Sequence, residues 1–441
     1  MTAFNHERLT NVQIGLDMNH LRRGYYSDTY FINIMHILQG LQAEGYEFRG
    51  KSPRGVAAVG YSVGDVIVEA QIFNRRSPYA VIAGVDVALA IIRHGAGYFE
   101  GDRFVAGWCD LDVVAVEDGD MTYYNGNPNE VQTVIEIRGK YRDFTLLETP
   151  ILGMLTRASR IATNVYDVLQ AANGKNVLFF PARFDLPSVQ SLDGYAYWVA
   201  LQRYNHETGH QVPPLVSTDA QAAWWGGRGG GTVPHAIIAC FLADTAEAML
   251  AFGRHIPVDV PRIALVDFNN DVVRDALAVL DVYWQQYVQA TDDVARKQWT
   301  LKGVRLDTSG NMVDESLKET GERGVTPELV RVMRRALDNA WTRWNVPNDL
   351  EDQARDYCRN VQIVVSGGFN REKIARFEQE RAPVDSYGVG STFLTNDAQT
   401  NTDFTMDVVR VWLNGQWVDM PKIGRAPCDN PDLEPVDLSI F

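Results

Sequence analysis

The sequence is poor in cysteine, and this shortage excludes two classes of small-domain framework. The chain of 441 residues has four cysteines, Cys109, Cys240, Cys358 and Cys428, and they form no CxxC pair. Neither a compact disulfide framework nor a zinc ribbon is therefore expected. The sequence predicts free, mostly buried thiols in a reducing compartment.

Basic residues and long apolar runs are also scarce. Lys and Arg number 41 against 56 Asp and Glu, and the formal net charge is −15. Because this charge repels nucleic acid and anionic membranes, we expect neither as a partner, although arginines and glycine amides in a local pocket can still hold a small anion. No apolar run reaches the roughly 18 residues of a membrane span, and the polar N-terminus is unlike a signal peptide. The sequence predicts a cytoplasmic protein.

The distribution of apolar residues indicates two domains. Residues 46–145 are rich in Val, Ile and Tyr and are broken by Gly and Asn, which is typical of β-structure. We therefore predict a β-rich N-terminal domain of the α+β kind at 1–148 and an α/β domain at 149–399. Residues 400–441 contain an Asn-Gly hairpin signal and are expected to pack on the N-terminal domain and complete it. Helices are predicted at 28–43, 80–95 and 149–173.

Six short apolar runs in the second domain each end in a polar or glycine residue. They are NVLFF at 176, PPLVS at 213, RIALVDF at 262, GVRLD at 303, VQIVVSGG at 361 and VDSYGVG at 384. In α/β barrels the functional groups lie where parallel strands end, so these endings are expected to converge. A full barrel has eight strands. The sequence thus predicts an irregular or incomplete α/β barrel, with an open doubly wound sheet as the alternative.

The stretch GGRGGGTVPHAII, residues 226–238, combines a glycine-rich loop with a histidine at a predicted helix start. Thr232 is the predicted N-cap and Pro234 lies in the first turn, which puts His235 at about the third helical position. The positive end of the helix disfavours imidazolium and attracts phosphate, so a ring nitrogen is available as a nucleophile. A loop and cap without catalytic function is the alternative.

Two further strand ends carry groups suited to anions. Arg305 and Asp307 are two apart on a predicted strand and so share a face. Arginine can hold a phosphate or carboxylate and aspartate can bind ribose hydroxyls or magnesium, although a plain salt bridge is the alternative. The glycine-rich ends SGGFN and YGVGS predict an anion nest of backbone amides. Its members are Ser366, Gly367, Gly368, Gly388, Gly390 and Ser391.

Seven motifs in register resemble those of the nicotinate phosphoribosyltransferases and the related nicotinamide phosphoribosyltransferases. They are LLETPILGMLTRASRIATN, FPARFD, GGTVPHA, LVDFNND, GVRLDTSGN, VSGGFN and DSYGVGS. The resemblance implies a type II phosphoribosyltransferase of NAD salvage, which joins a pyridine nitrogen to C1 of phosphoribosyl pyrophosphate and releases pyrophosphate. It further implies magnesium as cofactor, ATP as co-substrate, and a head-to-tail homodimer with a shared active site.

By this resemblance, His235 is the residue that ATP phosphorylates and Asp267 is the acid that orients it. Arg305 and Asp307 match residues that grip the nicotinate and the ribose, and Asp307 is counted with the catalytic group. Phe268 follows Asp267 where the family usually has a small hydroxyl residue.

The same resemblance assigns the pyridine pocket. Phe180 would stack on the ring and Arg183 would meet its carboxylate or amide, while Phe184 stands where a second arginine is common. SDTYF resembles the family's TDxY motif, so Asp28 and Tyr30 would reach the ring from the neighbouring subunit.

The sequence therefore predicts a nicotinate phosphoribosyltransferase that hydrolyses ATP through a phosphohistidine. A nicotinamide phosphoribosyltransferase and a non-catalytic barrel that binds phosphosugars or nucleotides are the alternatives. A dinucleotide-binding loop is excluded, because GGRGGG lacks GxGxxG spacing and follows no clear first strand. No protein side chains are assigned as metal ligands.

Overall fold

The computed structural model describes residues 16–441. The polar N-terminal stretch, which supports the prediction of a cytoplasmic protein, lies outside the described residues. The strands are β1 (Ile67–Asn74), β2 (Tyr79–Val81), β3 (Gly97–Glu100), β4 (Arg103–Ala106), β5 (Asp112–Ala115), β6 (Met121–Tyr123), β7 (Ile135–Lys140), β8 (Asn176–Phe179), β9 (Ile263–Leu265), β10 (Gly303–Leu306), β11 (Gln362–Val365), β12 (Ser386–Val389), β13 (Phe404–Leu413), β14 (Gln416–Asp419) and β15 (Glu434–Pro435). Within this described range, no helix combines the length and apolarity that a bilayer crossing requires.

The α-helices are α1 (Met18–Arg22), α2 (Thr29–Ala43), α3 (Val85–Gly95), α4 (Tyr141–Phe144), α5 (Glu148–Ala172), α6 (Gln190–Thr208), α7 (Asp219–Ala222), α8 (His235–Cys240), α9 (Thr245–His255), α10 (Val272–Gln289), α11 (Asp293–Gln298), α12 (Pro327–Asn339), α13 (Glu351–Arg359) and α14 (Arg371–Gln379). The chain divides into two compact units. Unit 1 comprises Met1–Tyr166, Tyr195–Arg203 and Thr395–Phe441, and unit 2 comprises Asp167–Gly194 and Tyr204–Leu394.

Unit 1 is built on a six-stranded sheet in the order β14-β13-β1-β7-β5-β15, and every pairing in it is antiparallel. The carboxyl-terminal hairpin joins this sheet because β13 pairs with β1. Its turn has the predicted form: Asn414 and Gly415 both have positive φ, 51° and 82°, which suits the right-handed twist of the flanking strands.

Helix α3 packs in the core of unit 1, and it starts later than the sequence suggests. Nearly all its residues are buried. The predicted helix at 80–95 is wrong at its beginning, because β2 pairs with β6 there and Gly84 then takes a left-handed conformation with φ 93°. Asp118 accepts hydrogen bonds from the Val85 and Asp86 amides at the helix start, and from the Tyr195 hydroxyl at 2.6 Å.

Unit 2 contains a parallel sheet in the order β8-β12-β11-β10-β9, and Val216 forms a parallel bridge with Phe179 beside β8. Across the sheet the segments therefore follow one another as Val216, β8, β12, β11, β10 and β9. This is the order of the chain read around a ring, in which β8 comes first, Val216 second and β12 last. A doubly wound sheet would reverse its strand order instead. The arrangement is an α/β barrel that is open between Val216 and β9, which confirms the predicted incomplete barrel.

Three further local predictions need correction. PPLVS forms a single bridge rather than a strand, because Pro213 and Pro214 lack the amide protons that a ladder requires. The four cysteines are free, but Cys109 and Cys240 are exposed and only Cys358 is fully buried, so the prediction of mostly buried thiols was wrong. The third correction concerns the start of α8 and is described with the site.

Candidate active site

A cavity of about 460 Å³ lies at the carboxyl ends of the unit 2 strands. Five of the six predicted strand endings contribute side chains or backbone to its wall, and the Asp267 carboxylate that follows β9 is hydrogen-bonded to a residue of that wall. The predicted residues on the wall are Phe180, Arg183, His235, Arg305, Asp307, Ser366, Gly367, Gly368, Gly388, Gly390 and Ser391. The structure thus brings together the residues that the sequence could only align in order.

His235 and Asp267 form a hydrogen-bonded pair. Nε2 of His235 lies 2.9 Å from Oδ1 of Asp267, and the side chains are 45% and 8% exposed. Burial raises the pKa of Asp267 and the charge of Asp307 adds to this, while the contact with His235 acts in the opposite direction. Phe268 contacts the histidine through its ring, with centroids 6.2 Å apart, so this departure from the family pattern leaves the pair intact.

His235 is the first residue of α8 rather than the third, and Thr232 is not the cap. Val233 precedes a proline, which restricts it to extended conformations. Pro234 is itself extended, with φ −88° and ψ 163°, and it occupies the N-cap position without a side-chain cap. The histidine is consequently held at the junction of the glycine-rich loop and the helix.

Arg305 reaches the cavity as a cation without a carboxylate partner. Its Nη2 donates a long hydrogen bond of 3.4 Å to the Val233 carbonyl, and its Nε is buried without any partner among residues 16–441. Burial lowers the pKa of Arg305, and nearby Asp307 and Asp267 oppose that effect. The alternative of a plain salt bridge with Asp307 is not observed, so the guanidinium retains donors for an anionic ligand.

Asp307 is held by the next strand ending, since Ser366 Oγ donates to its Oδ1 at 2.7 Å. Gly367 and Gly368 follow with φ of 92° and 67°, a conformation that other residues rarely adopt. A Cβ atom on Gly367 would lie 3.3 Å from Oδ1 of Asp307. The turn therefore depends on glycine both for its backbone and for its approach to the carboxylate.

His235, Asp267 and Asp307 each offer a ligand atom, and these atoms lie within 4.8 Å of one another. The sequence assigned no metal ligands, so this proximity is an addition from the structure. Carboxylate oxygens are the ligands that Mg²⁺ prefers, whereas imidazole suits transition metals. The two carboxylates are therefore suitable ligands for magnesium, whereas the histidine is not.

Gly388 and Gly390 make room for aromatic rings. A Cβ atom on Gly388 would lie 3.0 Å from Cε2 of Phe180, and one on Gly390 would lie 2.7 Å from Cε2 of Phe184. The Arg183 guanidinium lies over the Phe184 ring, 5.4 Å from its centroid. Phe184 thus supports Arg183 at the position where a second arginine was expected.

Asp28 and Tyr30 lie in unit 1 and are not among the residues that line the cavity. Thr149 Oγ1 donates to the Asp28 carboxylate at 3.0 Å and accepts from the Asp28 amide. Tyr30 is 56% exposed. A role for both residues in a neighbouring subunit stays a prediction.

Sequence reasoning missed Lys373, whose Nζ donates to the Gly367 carbonyl at 3.2 Å. It also missed Thr392, which lines the cavity and donates to the Phe369 carbonyl at 2.9 Å. The available signal for Lys373 was its position one helical turn after the SGGFN motif, where a side chain points back towards the helix start.

Comparison with known proteins identifies relatives of this chain. Residues 56–159 match the family model of the quinolinate phosphoribosyl transferase N-terminal domain. Nicotinate phosphoribosyltransferase pncB1 of Mycobacterium tuberculosis is 22% identical over 365 residues, and the match covers 77% of this chain and 66% of that protein. The chain therefore spans just under two thirds of this relative.

Two solved structures share the fold. The nicotinate-nucleotide pyrophosphorylase from Pyrococcus furiosus has 25% identity and a TM-score of 0.62, and the match covers 93% of this chain and 80% of that one. Human nicotinic acid phosphoribosyltransferase has 17% identity and a TM-score of 0.57, with 90% and 76% covered. The chain is similar in sequence and in fold to these proteins of the phosphoribosyltransferase class. The sequence relative and the human structure are both named as nicotinate or nicotinic acid phosphoribosyltransferases, and this chain is similar to them.

Proposed function

We propose that this chain is a nicotinate phosphoribosyltransferase. It forms nicotinate mononucleotide and pyrophosphate from nicotinate and phosphoribosyl pyrophosphate, and it hydrolyses ATP through a phosphohistidine. The observation that carries the proposal is the meeting, at one cavity, of the His235–Asp267 pair and an arginine without a carboxylate partner. A barrel that only binds a phosphosugar has no need of a histidine held by a buried acid.

Two cations favour a pyridine carboxylate over an amide. Arg305 and Arg183 both line the cavity, and neither has a carboxylate within ion-pair distance in the described range. A carboxylate accepts two parallel hydrogen bonds from a guanidinium, whereas a carboxamide offers one acceptor. Phe180 supplies an aromatic ring on the same wall, and its stacking would hold the pyridine plane so that the ring nitrogen faces C1.

In the transfer step the protein positions the two substrates and stabilises the charges that develop on them. As the bond from C1 to pyrophosphate breaks, positive charge develops on the sugar and negative charge on the leaving group. Asp307 lies where a carboxylate can contact ribose hydroxyls, and the Gly367–Gly368 turn presents backbone to a phosphate. Magnesium held by Asp267 and Asp307 would neutralise charge on the leaving pyrophosphate.

The orientation of His235 indicates which nitrogen accepts the phosphoryl group. When the Nε2–H group donates a hydrogen bond to the Asp267 carboxylate, Nδ1 carries no proton and keeps a free lone pair. Attack by Nδ1 on the terminal phosphorus of ATP would form the nitrogen–phosphorus bond and release ADP, while Asp267 stabilises the positive charge on the ring. Hydrolysis of this phosphohistidine would drive mononucleotide formation.

The proposal is tested by pyrophosphate release from phosphoribosyl pyrophosphate with nicotinate, nicotinamide or quinolinate, each with and without ATP. Quinolinate is included because the matched family model carries its name. We expect nicotinate to give the highest kcat/KM and ATP to increase it. Preference for nicotinamide or quinolinate would reassign the substrate, and no release with any pyridine would contradict the proposal.

A further inference from the structure

Lys373 lies behind the glycine turn of the cavity. Its Nζ donates to the Gly367 carbonyl at 3.2 Å and lies 4.1 Å from the centroid of the Phe369 ring. Gly367 and Phe369 both line the cavity. Asn370 caps α14 by accepting from the Lys373 amide at 2.9 Å, which fixes the helix start relative to the turn. The ammonium group is therefore in contact with two residues of the cavity wall.

The neighbours of Lys373 provide little compensation for the positive charge of its ammonium group. The side chain is half-buried, and among residues 16–441 no carboxylate lies within the 4.0 Å of an ion pair with it. Burial and the charge of Arg376 lower the pKa of Lys373 to about 8, against the attraction of Asp307. A carbonyl and a ring face compensate a desolvated ammonium less well than an anion does.

We propose that Lys373 is a ligand for the phosphate of the substrate. When a phosphosugar binds at the Gly367–Gly368 turn, the ammonium leaves the Gly367 carbonyl and donates to a phosphoryl oxygen. This inference rests on the proposed function for the identity of the phosphosugar, phosphoribosyl pyrophosphate. The unliganded contacts keep the cation close to the site without an acid that would have to be displaced.

A purely structural role for Lys373 makes a different prediction. Lys373→Met keeps an apolar chain against Phe369 but loses the hydrogen bond to the Gly367 carbonyl. Replacement of a residue that served only to fasten the turn would therefore lower thermal stability, and the wild-type affinity for phosphate would be independent of pH near 8. Arg376 is the matched control, because it lies on the same helix, carries the same charge and pairs with Glu380 on the exposed side. Lys373→Arg keeps the charge.

The test is calorimetric titration of wild type, Lys373→Met, Lys373→Arg and Arg376→Met with ribose 5-phosphate and, separately, with inorganic pyrophosphate. Loss of a charge-assisted hydrogen bond should weaken one of these two ligands by about 10- to 100-fold in Lys373→Met. Lys373→Arg should stay within about threefold of wild type, because the cation is kept, and Arg376→Met should be unchanged. The probe that loses affinity identifies which phosphate Lys373 contacts.

Equal affinity of Lys373→Met and wild type for both probes would overturn the proposal, and so would a wild type that binds neither. Should Lys373→Met fail to fold, the pH dependence of wild-type ribose 5-phosphate binding serves instead. Affinity should fall as pH rises above about 8, where Lys373 loses its proton in the free protein, and a constant affinity would contradict the assignment. Because these are binding measurements, an absence of pyridine transfer would refute the proposed function alone.

Discussion

The Nε2 atom of His235 lies 2.9 Å from Oδ1 of Asp267, and the acid is almost fully buried while the histidine is half-exposed. A buried acceptor fixes the ring orientation and leaves Nδ1 available. In the proposed function this asymmetry makes His235 the phosphoryl acceptor and Asp267 its positioning acid.

Replacing His235 with alanine should separate ATP hydrolysis from phosphoribosyl transfer. The variant lacks the phosphoryl acceptor, so ATPase activity should be lost, while some ATP-independent transfer should remain because the rest of the cavity is intact. ADP release and mononucleotide formation are measured in parallel. His255→Ala, which removes an exposed histidine at the end of α9, is the control. Full ATPase activity in His235→Ala would refute the phosphohistidine.

Asp267→Asn should preserve the shape of the site but present an amide to the histidine. The ring can then take the tautomer that carries a proton on Nδ1, which removes the lone pair needed for attack. We expect ATPase activity to fall by about 100-fold or more. The half-life of trapped phosphohistidine and the steady-state rate are the measurements. An unchanged rate would show that Asp267 does not set the tautomer.

Arg305→Met should lower kcat/KM for nicotinate by about 10- to 100-fold, since a charged hydrogen bond to the substrate is lost. The loss with nicotinamide should be smaller because an amide has no net charge. Arg305→Lys should restore little, because lysine lacks the planar fork of donors. Arg335→Met, which breaks an exposed ion pair with Glu328, is the matched control. Equal losses with both pyridines would mean that Arg305 does not read the carboxylate.

Gly388→Ala should disturb the pyridine wall without removing a polar group. The new Cβ would lie 3.0 Å from Phe180 Cε2 and 3.1 Å from Ser366 Cβ, so the ring must move by a few tenths of an ångström. KM for the pyridine should rise severalfold, and overpacking should destabilise the fold by about 1–3 kcal/mol. Gly310→Ala, where the added Cβ meets nothing within 4 Å, is the control. No change in KM would contradict stacking by Phe180.

Glu148→Gln should change the pH dependence of stability. Burial and the charges of Asp407 and Asp28 raise the pKa of Glu148 from 4.5 to about 8. Because the folded-state pKa is raised, the contribution of this carboxyl is fully present below about pH 4.5 and is lost as pH rises through about 8. Thermal melting should show the variant more stable than wild type at pH 9 and no more stable at pH 4. A constant difference would exclude this titration.

The sequence predicted which residues line the cavity better than it predicted the local backbone that holds them. Strand-end residues such as Arg305 and Asp307 could be placed on one face because the side-chain period of a strand is two. The start of α8 was predicted wrongly, since the extended loop continues to Pro234 and includes Thr232, where the cap was predicted. Gly388 and Gly390 must lack a side chain because the rings of Phe180 and Phe184 pack against them. These contacts join segments that are far apart in the chain, so the local sequence does not predict them.

Detection of the product nucleotide tests the central claim most directly. The purified chain is incubated with nicotinate, phosphoribosyl pyrophosphate, ATP and Mg²⁺. The products are then separated, and mass spectrometry identifies and quantifies them. The proposed function predicts nicotinate mononucleotide and pyrophosphate in equal amounts, with the yield reduced when ATP is omitted. Consumption of no nicotinate under these conditions, by a chain that binds phosphoribosyl pyrophosphate, would contradict it.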